Sequence, residues 1–153
     1  MKGYYFEELD EGMVVDHPLR RTVTEMDNTM FSCLTHNPQP LHIDRHYCET
    51  QTEFGQPLMN SLFTLGLMIG ISVNDTTLGT TIANLGMTDV RFPHPLFHGD
   101  TVHIRTTVLG KRESKSRPTA GIVTFRHEAF NQDDKLVAEC TRQAFMHKRP
   151  VQS

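Results

Sequence analysis

"PLMNSLFTLGLMIGISV", residues 57–73, decides the architecture of this chain. It is the longest charge-free apolar stretch, yet it falls short of the ~20 residues a membrane span needs and carries Asn60, Ser61 and Thr64. The spacing predicts a helix over 59–73. With so few polar positions that helix has no solvent face, so other elements have to wrap it on all sides.

The wrapping material lies downstream. After Gly79, β-branched and aromatic residues dominate, cut by turn signals at "FPHPLFHGD", "ESKSRPTAG" and "NQDDK". Val102, Ile104, Thr106 and Val108 alternate, as do Val123, Phe125 and Ala129. These patterns predict a strand near 80–92 and three hairpin-joined antiparallel strands near 101–114, 120–131 and 135–147. One apolar helix held by a curved antiparallel sheet is an α+β arrangement, a single domain over residues 1–153.

Upstream, residues 18–24 suit a short strand. Thr24 followed by Asp27 is a helix start of the Ser/Thr-x-x-acid type. Met26, Met30, Phe31 and Leu34 supply apolar positions at helical spacing, which predicts a helix over 25–35. Pro38 and Pro40 stop it. Asp44 caps a second short helix, "RHYCETQ", which "EFGQP" breaks.

Bulk composition narrows the function. A chain of 153 residues buries roughly 68–70% of its unfolded surface and needs no staples. A net charge of −3 argues against a general nucleic-acid binder. Cys33, Cys48 and Cys140 are an odd number with no CxxC pair, as expected of reduced thiols in a cytoplasmic protein. "MKGYYFEELDEG" shows no apolar run behind a basic start, so no secretory leader is expected.

"THNPQPLHID", residues 35–44, packs two histidines, two prolines and two amides into one loop. His42 there is either an ordinary loop residue or a proton donor and acceptor at working pH. His42 and His46 are four apart, the spacing of a helical metal pair, but no HExxH and no Cys/His cluster accompanies them, and no metal is expected. GxSxG, GxGxxG and a P-loop are absent. "KRESKSRP", residues 111–118, is either a solvated hairpin that uses lysine against edge aggregation or a phosphate seat.

Together these pieces resemble the MaoC-type (R)-specific enoyl-CoA hydratase family, whose fold is the hot dog. The resemblance rests on "FEELDEGM", "TVTEMDNTMF", "PLHID", "NSLFTLGLMIG", "VRFPHPLFHGDTV" and "SKSRP…GIVTF". It implies hydration or dehydration of an acyl-CoA thioester with no cofactor beyond the substrate's own CoA. It also implies a homodimer or higher homo-oligomer with no membrane or nucleic-acid partner. "HNPQPLH", "NSLFTLG" and "GMTDVRFPHP" look most like the branch acting on mesaconyl-CoA, β-methylmalyl-CoA and itaconyl-CoA, which carry short branched dicarboxylic acyl groups.

The family's site motif resembles D-x-N-P-L-H. Counting back from His42 without gaps puts Gln39 at the family's Asn and Asn37 at its Asp; a two-residue insertion instead puts Thr35 at the acid. Either way the acid is missing. An amide orients water but does not titrate, so the proton traffic falls to His42, with His36 the local alternative. The family's oxyanion donor, a backbone N–H at the start of the central helix, corresponds to Asn60-Ser61 here, with Ser61 N–H able to donate. Lys111, Arg112, Lys115 and Arg117 become the candidate contacts for CoA phosphates. Arg91 becomes the candidate for a second substrate carboxylate, or else a structural ion pair.

Two other functions compete. A hot-dog thioesterase would want an acid at the start of the central helix, where "GQPLMNSLF" has none. A non-catalytic acyl-CoA-binding module would explain the lost acid.

Overall fold

The computed structural model describes residues 3–150. Helix α1 spans Glu25–Leu34 and starts in the expected box: Thr24 Oγ1 accepts from Asp27 N–H at 3.2 Å and the Asp27 carboxylate accepts from Thr24 N–H at 2.8 Å. Arg21 grips the same carboxylate at 2.7 and 2.9 Å, and that bond holds the Asp27 carboxyl below its usual range. A four-residue helix the sequence did not announce, α2 (Pro40–Ile43), precedes α3 (Arg45–Gln51), which Asp44 caps through Tyr47 N–H at 2.9 Å. The apolar helix is α4, Ser61–Thr76.

The strands are β1 (Val14–Asp16), β2 (Arg21–Thr22), β3 (Thr81–Arg91), β4 (Thr101–Glu113), β5 (Ala120–Phe130) and β6 (Leu136–His147). They form one antiparallel sheet in the order β1-β4-β5-β6-β3, with β2 pairing β4 as well. The expected strand over 18–24 shrinks to the two residues of β2, and β1, at Val14–Asp16, lies before that range. The four long strands fall where the alternation predicted them. β3 pairs only with β6 among the described residues, so its other edge is open.

One expectation about buried faces needs correction, and one helix face follows no expectation. The sheet covers α4 on one side only; Ser61, Leu62, Gly66, Gly70 and Asn74 stay exposed, because a single sheet cannot close around a helix. In α1, Met26, Met30 and Leu34 are 66%, 54% and 74% exposed, while Asn28 and Ser32 are fully buried. The helical spacing is right, but the inward face is the polar one.

The core has two parts. One gathers Met68 and Ile71 of α4 with Val102, Ile104, Ala129 and Val137 of the sheet. The other joins Phe6 and Leu9 to Val108, Phe125 and Met146. Phe6 seats on β5 because residue 121 is glycine: a Cβ there would lie 2.2 Å from its ring.

Between the two parts runs a buried polar seam. Asp75 Oδ2 lies 3.0 Å from His17 Nδ1, His17 Nε2 lies 2.8 Å from Thr106 Oγ1, and Thr106 Oγ1 lies 2.9 Å from His127 Nδ1. A carboxylate only accepts, so His17 carries its hydrogen on Nδ1. With His17 neutral, Thr106 donates to Nε2 and His127 Nδ1–H donates to Thr106. His127 Nε2 is then a buried lone pair without a partner among the described residues. Arg142 completes the seam, stacked over the Phe125 ring at 5.5 Å.

Burial, then Arg142 and His17, push the His127 imidazole down to about 3. The folded chain therefore keeps His127 neutral where the unfolded chain protonates it. This stability contribution is complete above about pH 6.5 and is lost as pH falls toward about 3. Urea unfolding should show wild type losing up to about 1.4 kcal/mol per pH unit from this group, a slope that His127→Leu removes. Gly121→Ala should cost about 1–3 kcal/mol in the same assay by driving a methyl into Phe6.

Candidate active site

Pro40 opens α2 as its first residue, where a missing N–H costs nothing, and His42 follows within the same turn. His42 Nδ1 lies 2.8 Å from the Leu58 carbonyl oxygen. A carbonyl only accepts, so Nδ1 bears the hydrogen and the neutral ring presents a bare Nε2. Leu58 is held in turn, its N–H donating to Leu41 oxygen at 3.0 Å. The α2 turn and the strap that enters α4 are thereby joined.

The start of α4 stands beside them. Asn60 caps it, its Oδ1 accepting from Leu62 N–H at 3.1 Å, and its amide donates to Ser32 Oγ at 3.3 Å. Ser61 N–H has no acceptor among the described residues and points from the positive end of a 16-residue helix. A cavity of about 180 Å³ opens here, lined by Phe54, Leu58, Ser61, Thr64, Phe92 and His94 among others. Its wall is mostly apolar, with hydroxyls and one imidazole as its polar groups.

Sequence reasoning missed Asn28. Its buried carboxamide lies 2.9 Å from His42 oxygen, 3.0 Å from Leu58 oxygen and 3.0 Å from His98 Nε2, and it accepts from Asn60 N–H at 2.8 Å. Little in the sequence singles Asn28 out, since Glu25, Asp27, Thr29 and Ser32 are polar residues of the same helix. Burial lowers the His98 imidazole below its usual range, which favours the neutral ring.

The structure separates the other expected site residues. Asn37 Oδ1 accepts from Gln39 N–H at 3.1 Å, and no bond links Asn37 to His42. His36 and Asn37 instead share a shallow apolar pocket with Ser32, Cys33, Pro38 and Ile43. His36 adopts φ 54°, a left-handed conformation that a tight turn requires. Gln39 lines another groove beside Tyr47 and Glu53. Arg91, 69% exposed, stands 4.0 Å from Glu139 in a cleft with Arg126, apart from the cavity.

Of the basic hairpin, Lys111 is already committed. Its Nζ donates to Phe6 oxygen, Glu7 oxygen and Asp10 at 3.2, 3.1 and 3.0 Å. Arg117 lies over the Phe145 ring at 5.9 Å, while Arg112 and Lys115 are exposed. The hairpin sits by Thr80 and His147, whose N–H donates to Thr80 oxygen at 2.8 Å. It therefore flanks the far end of α4, about 24 Å along the helix from Ser61.

No group of three or more His, Cys, Asp and Glu among the described residues is arranged to hold a metal. None of the described helices is long and apolar enough to cross a membrane.

Comparison with known proteins finds relatives of this chain. The chain is 31% identical to a β-methylmalyl-CoA dehydratase of Chloroflexus aurantiacus, over 96% of this chain and 41% of that protein. It is 29% identical to a mesaconyl-CoA hydratase of Cereibacter sphaeroides, over 96% and 42%. The chain thus spans about two fifths of the length of these curated relatives. A Mycobacterium tuberculosis structure described as a double hot-dog fold superposes with a TM-score of 0.88 at 27% identity, covering 99% of this chain and 46% of that one. The family pattern described as "MaoC like domain" matches residues 8–129, and the chain belongs to that family.

Proposed function

We propose that this chain adds water to, or removes it from, the 2,3-double bond of a short, branched dicarboxylic enoyl-CoA thioester. The observation that carries the reading is that His42, with Nε2 bare, is pinned through Nδ1 to Leu58, which lines the cavity together with Ser61, whose N–H has no acceptor among the described residues. In hydration, Nε2 takes a proton from water as the water oxygen bonds to C3. Electrons of the double bond shift toward the thioester oxygen, which Ser61 N–H and the positive end of α4 stabilise. The His42 imidazolium then delivers its proton to C2, restoring the base. Dehydration runs the same steps backwards. The reaction needs no cofactor beyond the CoA of its substrate.

Asn37 supports the loop rather than the proton transfer, since its side-chain oxygen already holds Gln39 N–H. The relatives named for β-methylmalyl-CoA and mesaconyl-CoA support a dicarboxylic acyl group. His94, Ser61 and Thr64 are the polar groups that face such a carboxylate in the cavity; Arg91 reaches it only by leaving Glu139. The free thiols of Cys33, Cys48 and Cys140 suit a reducing cytoplasm.

The reading includes a homodimer. Exposed Leu62, Leu85, Val90 and Phe92, the open edge of β3 and the open space at Gly66 and Gly70 of α4 are surface that a second copy would cover. The relative with a double hot-dog fold is about twice this length. A two-fold axis at the β3 edge pairs the Arg91 end of one chain with the Thr81 end of the other. The hairpin of one protomer then approaches the cavity of its partner, which brings Lys115 and Arg117 toward the CoA phosphates.

Enoyl-thioester absorbance with mesaconyl-CoA, itaconyl-CoA and crotonyl-CoA tests the reaction. His42→Ala should lose about 100-fold or more in turnover. Asn37→Asp should stay within about tenfold of wild type, because the oxygen that holds Gln39 N–H survives. Binding without turnover would replace the hydratase with a binding module, and release of free CoA thiol would replace it with a thioesterase.

Lys115→Glu with Arg117→Glu should raise KM for CoA esters by about tenfold or more. Mixed dimers of this double variant with His42→Ala should recover wild-type KM in one site of two. No recovery would place the hairpin in the same chain as the site it serves, or nowhere near it.

A further inference from the structure

Asn28 is the side chain on which the parts of the site converge. Its orientation is fixed by chemistry: Asn60 N–H only donates, so Oδ1 faces it at 2.8 Å and Nδ2 faces the opposite way. There Nδ2 meets the backbone oxygens of His42 and Leu58 and the His98 ring nitrogen, all within 3.0 Å. Two hydrogens serve three acceptors, so one hydrogen is shared. His98 Nε2 has to be a lone pair, because an N–H there would face the amide hydrogens.

These bonds meet at three places that must keep register for water addition. The Leu58 oxygen accepts from both Asn28 Nδ2 and His42 Nδ1, and a carbonyl has two lone pairs, so both are used. The His42 backbone is tethered through its own carbonyl. The entry to α4 is tethered through Asn60 N–H, one residue before the Ser61 donor. A fully buried amide bonded through its oxygen and both hydrogens is rigid, and losing its donors would leave the His42 and Leu58 carbonyls each short of a partner.

We propose that Asn28 is a positioning residue that holds His42 as the Nδ1–H tautomer and sets the spacing between His42 Nε2 and the α4 N-terminus. His98 is a third acceptor that shares one of the two hydrogens and is dispensable to the carbonyls that take them. Asn28 touches no reacting atom; it acts through Leu58, His42 and Asn60. Glu25 on α1 and Arg45 on α3 act on His98 in opposite senses and pair with each other at 3.7 Å, which leaves burial to set its charge state. The inference rests on the hydratase reading for its meaning but not for its test.

The test combines imidazole ¹⁵N NMR of the unliganded protein with steady-state kinetics on the same enoyl-CoA esters. Wild type should show His42 protonated at Nδ1 and bare at Nε2. Asn28→Asp keeps the shape but has no hydrogens to give. It should mix the His42 tautomers and lower kcat by up to about 100-fold, with KM within about twofold. His98→Leu leaves two hydrogens for two carbonyls and should keep both the tautomer and kcat. Asn28→Ser carries the test if Asn28→Asp does not fold. A folded Asn28 variant with an unchanged His42 tautomer and unchanged kcat would overturn the proposal. If wild type turns over none of the esters, the hydratase reading fails, and the NMR comparison alone decides whether Asn28 positions His42.

Discussion

From Ser61 to Asn74 the central helix carries no charged residue, and burying its apolar side is the constraint that organises the rest. The inner face of β4, β5 and β6 supplies the cover, with Val102, Ile104 and Ala129 against Met68 and Ile71. Once that contact is made, both helix ends are fixed in space. The first turn is tied to α1 by Asn60 with Asn28 and Ser32, and the last turn to the sheet by Asp75 with His17. The site is built at the tied first turn, where the positive end of the helix meets the α2 turn. A catalytic geometry placed there inherits the rigidity of the packed helix rather than the looseness of a loop.

Period-two alternation and turn chemistry made the four long strands legible, because side chains on a half-buried sheet must alternate. Caps made α1 and α3 legible for an equally local reason: Thr24, Asp27 and Asp44 satisfy N–H groups within three residues of themselves. The motif resemblance made His42 and Ser61 candidates without any structure. What could not be read was which way a helix faces. The spacing of Met26, Met30 and Leu34 marks the helix but not its inward face, and only the partners of Asn28, from residues 42, 58, 60 and 98, show why the polar side turns inward. Such long-range hydrogen bonding leaves no periodic trace. The same holds for Lys111, whose charge suggested a phosphate but whose ammonium is spent on Phe6, Glu7 and Asp10.

The amide at residue 37 takes on a different meaning beside this network. An acid in the loop would hold an imidazole by charge as well as share its protons. Here the imidazole is held by a backbone carbonyl, and that carbonyl by a buried amide. Neutral donors and acceptors replace a carboxylate as the source of order, so positioning does not depend on the ionisation of an acid. In the proposed hydration, one ring would both take and return the proton, which would tie the rate to a single titrating group.

The polar seam of His17, Thr106, His127 and Arg142 carries a consequence for motion. Apolar packing is continuous on either side of it but not across it, so the chain is expected to hold two cooperative units along one sheet. The unit at the first turn of α4 contains the cavity wall. The other rests on the N-terminal segment, where Phe6 and Leu9 close over Val108 and Phe125. Fraying of that segment can expose its own cluster to solvent while the site end stays shut, so amide exchange should rank the two ends of the same strands differently.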